Sequence, residues 1–575
     1  MCGIAGIVGR PDGLACVRHM TAAIGHRGPD GEGYFTGEGV TLGHKRLAVL
    51  DLSCAAAQPM RSHDGRWTLA LNGEIFNYRE LRRELPGDFG SASDTEVLLE
   101  ACAAWGVETA LNRSIGMFAF ALWDEHNCEL TLARDRCGEK PLVYFWNGAT
   151  FAFASELKAL SALHSSHLDP AAVDAYFALG YVPAPLAIFR DCRKLPPGHL
   201  LRFRNRSLSL RRWWFPERVA PRACRSQTQK INKLRGLMGD AVRLRLRSDV
   251  PVALCLSGGV DSSVIAAECA REKAPVDAFT VAFDGDETGL AHARAVAAKF
   301  GLTHHVIRTR AESAAFQVRE AAAHYDEPFA DSSALPSLDL ARALRGRYKV
   351  ILTGDGGDEA FAGYPHYVRI RAKQWLKRAA AMAGLKDGRG SRDVYVQSKT
   401  LFRLSERMRL LASNATGDTL SVLLGADPYL KQAGSGALFK ALWSDRHLHL
   451  PNNLTYKTDT ALGAFGMENR APFLDHRILE WAQGLDSRDL VRGREKKVLL
   501  REAYRNDLPA RVLAQPKQGF GAPIREWLAG PLDELRRELL PCPLLDAPSQ
   551  AGASGQRLWT LLAFALWARA WRATW

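Results

Sequence analysis

The apolar, strand-like run Val252-Ala253-Leu254-Cys255-Leu256 passes directly into Ser257-Gly258-Gly259-Val260-Asp261-Ser262-Ser263, and then into the apolar Val264-Ile265-Ala266-Ala267. A strand feeding a glycine-rich loop and then a helix is one unit of a parallel α/β sheet, because parallel strands need a crossover between them. The glycines let backbone N–H groups approach an anion, the hydroxyls add donors, and the helix aims its N-terminus at the same place. The segment therefore reads as a phosphate cradle. It is not a Walker A loop, since no lysine follows the glycines in a G-x-x-x-x-G-K-[ST] frame. Upstream, Ile231, Leu234, Met238 and Val242 keep helical spacing into this strand, and strands alternate with helices beyond it. That order predicts a doubly wound parallel sheet.

A second loop on the same half carries charge. The strand-like Lys349-Val350-Ile351-Leu352 delivers Thr353-Gly354-Asp355-Gly356-Gly357-Asp358-Glu359. Carboxylates this close repel one another without a cation, and magnesium takes few protein oxygens, completing its shell with substrate phosphates. A merely solvated acidic loop fits poorly behind a buried strand.

At the other end, Cys2 stands directly behind Met1. Removing the methionine leaves a cysteine whose thiol and free α-amino group share one residue, so nucleophile and base come as a unit. By itself a cysteine here is as well explained as a small apolar residue opening a buried strand. Downstream lie polar, glycine-rich turns: His26-Arg27-Gly28-Pro29-Asp30 reads as a tight turn, and His44-Lys45-Arg46-Leu47 ends a strand-like stretch. Asn72-Gly73-Glu74 follows the apolar run Trp67-Thr68-Leu69-Ala70-Leu71, and Ser93-Asp94-Thr95-Glu96 opens an amphipathic helix. Singly, each has a plain structural explanation: Arg46 a surface ion pair, Asp94 a helix cap, Asn72-Gly73 a hairpin turn.

Taken in order, CGIAG, HRGPDG, HKRLAVLD, NGEIFNY and SDTE resemble the glutaminase domain of class II glutamine amidotransferases. The resemblance implies that Cys2 attacks the side-chain amide of glutamine. It further implies that Arg46 pairs with the α-carboxylate, and that Asp94, Glu74 and the backbone around Gly73 hold the α-ammonium. Asn72 and an N–H near Gly73 would form the oxyanion hole.

The SGGVDSS loop resembles the pyrophosphate loop of ATP pyrophosphatases, which split ATP into AMP and pyrophosphate. DEPFADSSALP, GDGGDEAFAGY, MENRAPFLD, EKKVLLRE and KQGFGAPIREWL are similar to the glutamine-hydrolysing asparagine synthetases of the B type. By that resemblance ATP contacts fall on Cys255, Leu256, Ser257, Gly258, Gly259, Asp261, Ser262, Val281, Gly354 and Asp355. The magnesium carboxylates are Asp261 and Asp358. Lys497, with Lys496 beside it, meets the leaving pyrophosphate, and Asp355 is the candidate base toward ammonia. Two positions depart from the family: Asp355 stands where many members carry Glu, and Gly463 where a methionine is usual.

Composition bounds the rest. At 575 residues and 47% hydrophobic content the chain can build large cores, and its length suggests about two to four domains. The most apolar stretch, residues 558–571, is interrupted by Arg569, so no transmembrane helix is expected. The N-terminal apolar run starts at once and stops at Arg10, unlike a signal peptide, and a cleaved leader is incompatible with a nucleophile at position two. Eleven cysteines, an odd number without a C-x-x-C pair, suit a reducing cytoplasm. The net charge is +14, and residues 365–411 hold twelve Lys and Arg against three acids. No aromatic-interleaved or groove-reading motif accompanies that excess, so solvated helix faces explain it more simply than a nucleic-acid surface.

The expectation is thus α/β: an N-terminal-nucleophile α-β-β-α sandwich over residues 2–205, with two helical stretches, then a polar linker. A doubly wound ATP-pyrophosphatase domain over 230–575 follows. The implied activity is a cytoplasmic, glutamine- and ATP-dependent amidation of aspartate, with ATP and Mg2+ required. Substrates are small molecules, with no specific nucleic acid and no membrane, and the resemblance allows a homodimer. The alternatives are a family amidotransferase for another carboxylate, such as a uronic acid sugar or a natural-product intermediate, and a non-catalytic scaffold or binding protein. Intact Cys2, Arg46, Asp261 and Asp358 weigh against the last. Cys2 weighs against the β-lactam-forming relatives too, which dispense with that cysteine.

Overall fold

The computed structural model describes residues 1–215, 226–283, 287–382, 399–426, 430, 436–514 and 521–575. Two six-stranded antiparallel sheets build the N-terminal half. The first runs Cys192–Lys194, Val143–Trp146, Phe151–Ala154, Gly3–Val8, Val40–Arg46, Gly31–Gly37. The second runs Ser207–Arg212, His199–Arg204, Glu129–Arg134, Gly116–Asp124, Trp67–Ile75, Met60–Arg61.

Strand alternation stacks them. Phe151, Phe153, Ile4 and Leu42 turn inward to meet Ala119, Ala121, Trp123 and Leu132 of the second sheet. Ala152, Ala154, Ala5 and Ile7 turn outward and bury against helices Gly13–Ala23 and Pro170–Leu179. On the far side Leu69, Leu71, Phe118 and Phe120 pack on helices Asp94–Trp105 and Val107–Arg113. A period of two sends alternate side chains to opposite faces, so this is the expected α-β-β-α sandwich. It holds more helices than the two stretches expected; pieces as short as Tyr78–Arg82 span too few turns for an apolar period to show.

The strand Trp67–Ile75 continues through Asn72-Gly73-Glu74, where a turn was expected; these three pair with Ala119, Phe118 and Met117. Gly73 is there for close approach. Its φ is +150°, and a Cβ on it would lie 2.1 Å from the Met117 carbonyl oxygen.

The second half carries a five-stranded parallel sheet, ordered His304–Thr309, Asp277–Phe283, Val252–Cys255, Val350–Leu352, Glu468–Arg470. The chain order reverses between Val252–Cys255 and Val350–Leu352, and the loops leaving these two strands open side by side at the carboxyl edge. That is the place where doubly wound sheets bind ligands. One face packs on Val264, Ile265 and Val296, and the other on Leu340, Leu344, Leu462 and Met1. Met1, 1% exposed, thus belongs to the core of the second half.

Helix Gly555–Ala570, which contains all but the last residue of the most apolar stretch, is buried against the sandwich: Tyr176 donates to the Thr560 carbonyl (2.8 Å). None of the described helices is long and apolar enough to cross a membrane. Of the polar linker, residues 216–225 lie outside the described residues, and helix Gln227–Arg245 already begins within its last part. Residues 383–398 of the basic segment and 517–520 of KQGFGAPIREWL also lie outside them. Part of the basic excess is structural: Arg407 is buried on Asp174 and Asp418, and the half-buried Lys399 pairs with Asp445.

Candidate functional site

Two sites stand on the two halves. Cys2 precedes the strand Gly3–Val8, whose register (Gly3 opposite Lys45) brings it beside Leu47, and the Leu47 N–H donates to its Sγ at 3.4 Å. Burial pushes the thiol up to about 11 and the Met1 amine down to about 5. Burial favours the neutral form of both groups.

Asn72 is fully buried, and neither Oδ1 nor Nδ2 has a hydrogen-bond partner. An orphaned buried amide costs about 1–3 kcal/mol, an expense that a donor awaiting developing oxyanion charge accounts for. Asp94 opens its helix and accepts from the Ile75 N–H at 2.7 Å; burial lifts its carboxyl to about 6. Glu74 is raised well above the usual range by burial, with Glu468 and Asp94 adding to it, and lies 3.4 Å from Arg470. Arg46 is half-buried and donates to the carbonyls of Ser53 (2.7 Å) and Asp51. Sequence reasoning missed that Glu468 and Arg470, from the parallel sheet, close this site; they sit in the MENRAPFLD motif already singled out.

A cavity of about 500 Å³ opens at the carboxyl edge of the parallel sheet. Cys255, Ser257, Gly259, Asp261, Ser262, Val281, Gly354 and Asp355 line it; Leu256 and Gly258 do not. Leu256 faces the core, and Gly258 makes the turn at a φ of +75° against Gly289 and Ala293.

Lys496 and Lys497 both line this cavity, and the Lys497 Nζ lies 2.5 Å from Asp261 Oδ2 and 2.6 Å from Asp358 Oδ1. Lys497 holds a left-handed φ of +54°, a costly conformation for a side-chain-bearing residue and one that clusters at functional sites. Asp355 Oδ2 accepts from Thr353 (3.1 Å), Thr458 (3.0 Å) and Asn469 (3.4 Å).

Among the described residues no group of three or more His, Cys, Asp or Glu forms a metal cage. The pair Asp261 and Asp358 nonetheless fits magnesium, which needs few protein ligands when phosphates supply the rest. Asp261 Oδ1 is buried without a hydrogen-bond partner. Glycines also clear the space: a Cβ at Gly363 would fall 1.8 Å from Asp358 Oδ1, and one at Gly357 2.6 Å from Asp261 Cγ.

Other lining residues were not foreseen. Lys457 donates to Ser333 Oγ (2.9 Å) and lies 4.0 Å from Asp331. Glu359, fully buried, accepts from Tyr364 on Oε1 (2.6 Å) while Oε2 has no hydrogen-bond partner, and burial lifts it to about 7. Asn453 Oδ1 is likewise without a partner. Asp331 and Ser333 fall inside DEPFADSSALP, and Glu359 and Tyr364 inside GDGGDEAFAGY, the two signals that pointed here.

An antiparallel sandwich with a buried amide and carboxylates around Cys2, joined to a parallel sheet with a cavity at its carboxyl edge, is the arrangement of a glutamine amidotransferase coupled to a ligase. Residues 1–214 match the profile described as a glutamine amidotransferase domain, and residues 233–569 match that of asparagine synthase. Asparagine synthetase [glutamine-hydrolyzing] 1 of Bacillus subtilis is 29% identical over 99% of this chain and 96% of its own length. Asparagine synthetase [glutamine-hydrolyzing] 3 of the same organism is 31% identical over 90% and 87%. The amidase chyE of Penicillium rubens is 28% identical over 91% and 87%. The chain belongs to the glutamine-hydrolysing asparagine synthetase family, and it is a carbon–nitrogen ligase.

Proposed function

We propose that this enzyme converts aspartate to asparagine, with glutamine as nitrogen donor and ATP cleaved to AMP and pyrophosphate. Once Met1 is removed, the Cys2 amine takes the thiol proton and the sulfur attacks the glutamine amide carbon. Ammonia leaves and water hydrolyses the thioester to glutamate. Asn72 and a backbone N–H near Gly73 carry the oxyanion; Arg46 holds the α-carboxylate, and Asp94 and Glu74 the α-ammonium. Ammonia passes through the protein to the second cavity.

There an aspartate carboxylate oxygen attacks the α-phosphorus of ATP, and pyrophosphate leaves toward Lys497. Ammonia then attacks the acyl carbon and AMP departs. Asp261 and Asp358 would hold magnesium, which when bound offsets phosphate charge. Asp355 is the candidate proton acceptor, oriented by its three donors.

One observation carries the choice of acceptor. Glu359 Oε2 and Asn453 Oδ1, buried acceptors lacking a donor, line the cavity that Lys457 also lines. Unpaired acceptors call for a ligand donor and a lysine for an anion, the two ends of an amino-acid zwitterion. A uronate sugar could offer these acceptors only neutral hydroxyl donors, whereas an ammonium makes the stronger, charge-assisted bond to a carboxylate. The test is pyrophosphate release with ATP, glutamine and a panel of carboxylic acids, followed by mass analysis of the amide. Aspartate should turn over above all others, and turnover of a uronate with none of aspartate would overturn the assignment. The reducing cytoplasm and a two-domain division near residues 205–230 belong to the same reading.

A further inference from the structure

A cluster of buried charge outside the two cavities lies between the halves of the molecule. Arg27 is fully buried, yet its guanidinium is used on three sides. Nε donates to the Cys2 carbonyl (3.0 Å), Nη1 to Glu156 (2.6 Å) and Nη2 to Asp459 Oδ2 (2.8 Å). Arg27 and Glu156 belong to the sandwich. Asp459 comes from helix Thr455–Gly463 of the nucleotide-binding half, and Lys140 lies 3.6 Å from its other oxygen.

The same helix floors the second cavity. Thr458, one residue before Asp459, donates to Asp355, and Lys457 lines the cavity itself. Gly463, where the family usually has methionine, leaves the crossing open: a Cβ there would fall 3.2 Å from Arg27 Nη1 and 3.5 Å from Met1 Cε. A single guanidinium thus separates the main chain of the nucleophile from the helix that shapes the acceptor cavity.

Physical chemistry makes this joint stiff. Arginine cannot shed its charge, so a buried guanidinium stays where its carboxylates hold it. Two carboxylates at fixed corners determine both position and tilt of the plane, and the third corner then delivers Nε to Cys2. With Asp459 neutral, Glu156 alone would draw the plane to its own side.

We propose that Asp459, a residue of the nucleotide-binding half, is a positioning residue for glutamine hydrolysis: acting through Arg27, it fixes the Cys2 main chain and ties nucleophile alignment to the helix beneath the acceptor. The inference rests on Cys2 being the nucleophile.

The test is Asp459→Asn in the full chain, reading glutamate release, amide formation from added ammonium, and melting temperature. Glutamine kcat is expected to fall about tenfold or more with KM changed less than about twofold, because Arg46, Asp94 and Glu74 are untouched. Synthesis from ammonium should keep more than about a third of its rate, and Asp459→Glu should recover part of the lost kcat. Lys140→Met, which leaves the Arg27 contacts in place, should cost glutamine kcat less than about threefold. The proposal is overturned if glutamine kcat is unchanged, if both activities fall by the same factor with the melting temperature, or if Lys140→Met matches the Asp459→Asn loss. If Asp459→Asn does not fold, Arg27→Lys keeps the buried cation without the three-cornered reach and reads the same split. Equal loss of both activities there overturns the proposal as well. Glutamine hydrolysis persisting in Cys2→Ala would instead refute the nucleophile assignment.

Discussion

The ammonium of Lys497 rests 2.5 Å from the carboxylate of Asp261, a residue 236 positions earlier in the chain. The phosphate loop and the EKKVLLRE segment therefore act on one point. Lys497→Met should lower pyrophosphate release by about 10²–10³-fold, the scale of losing one charge-stabilising donor. Glutamine hydrolysis should stay near the parent rate, and Lys496→Met should have a far smaller effect. A coupled pyrophosphate assay beside a glutamate assay reads both.

Asn72→Ala should cut glutamine kcat by about 10²–10³-fold with little change in KM, since the orphaned amide is assigned to the transition state. Cys2→Ala should abolish glutamine-dependent synthesis while synthesis from ammonium persists. Loss of both activities in a folded Cys2→Ala variant would refute the separation of sites.

The pH profile follows from Asp94. Burial, reinforced by Glu468 and opposed by the Ile75 N–H and Arg470, holds its carboxyl up at about 6. Only the ionised form attracts the glutamine ammonium, so kcat/KM for glutamine should rise through about pH 6 and level above it. Once glutamine is bound its positive charge favours the ionised carboxylate, so the limb in kcat should lie at lower pH. Steady-state rates between pH 5 and 8 check the sign; a kcat/KM that increases as the pH is lowered from 6 to 5 would contradict it.

Gly73→Ala should be among the most destabilising single changes, because the added Cβ meets the Met117 backbone oxygen, which cannot step aside. Leu462→Ala, which empties part of the cluster formed with Met1 and Met467, should cost about 2–5 kcal/mol. Thermal and denaturant unfolding measure both.

The strand-loop-helix at 252–267 and the helical spacing of Ile231, Leu234, Met238 and Val242 made the parallel sheet readable from the chain, because period and turn chemistry are local, whereas the sandwich was expected only from the resemblance of its ordered motifs. Cys2, Asn72, Asp94, Asp261 and Asp358 could be singled out because each lies in a short ordered motif, and the structure places the first three at one site and the last two at the other. Lys497 was named from its motif too, with Lys496 beside it, but that its ammonium lies between Asp261 and Asp358, residues more than a hundred positions away, was not readable from the chain.

What the sequence determined by itself was the two folds, their order and the chemistry of each, because hydrophobic period and motif spacing act over a few residues. Only the tertiary structure decided how the halves meet. Arg27 and Asp459 are 432 positions apart, Glu74 and Arg470 close one site from two sheets, and Asp331 faces Lys457 across another. Such contacts depend on which buried charges find a partner when two cores pack, and no local pattern encodes that choice.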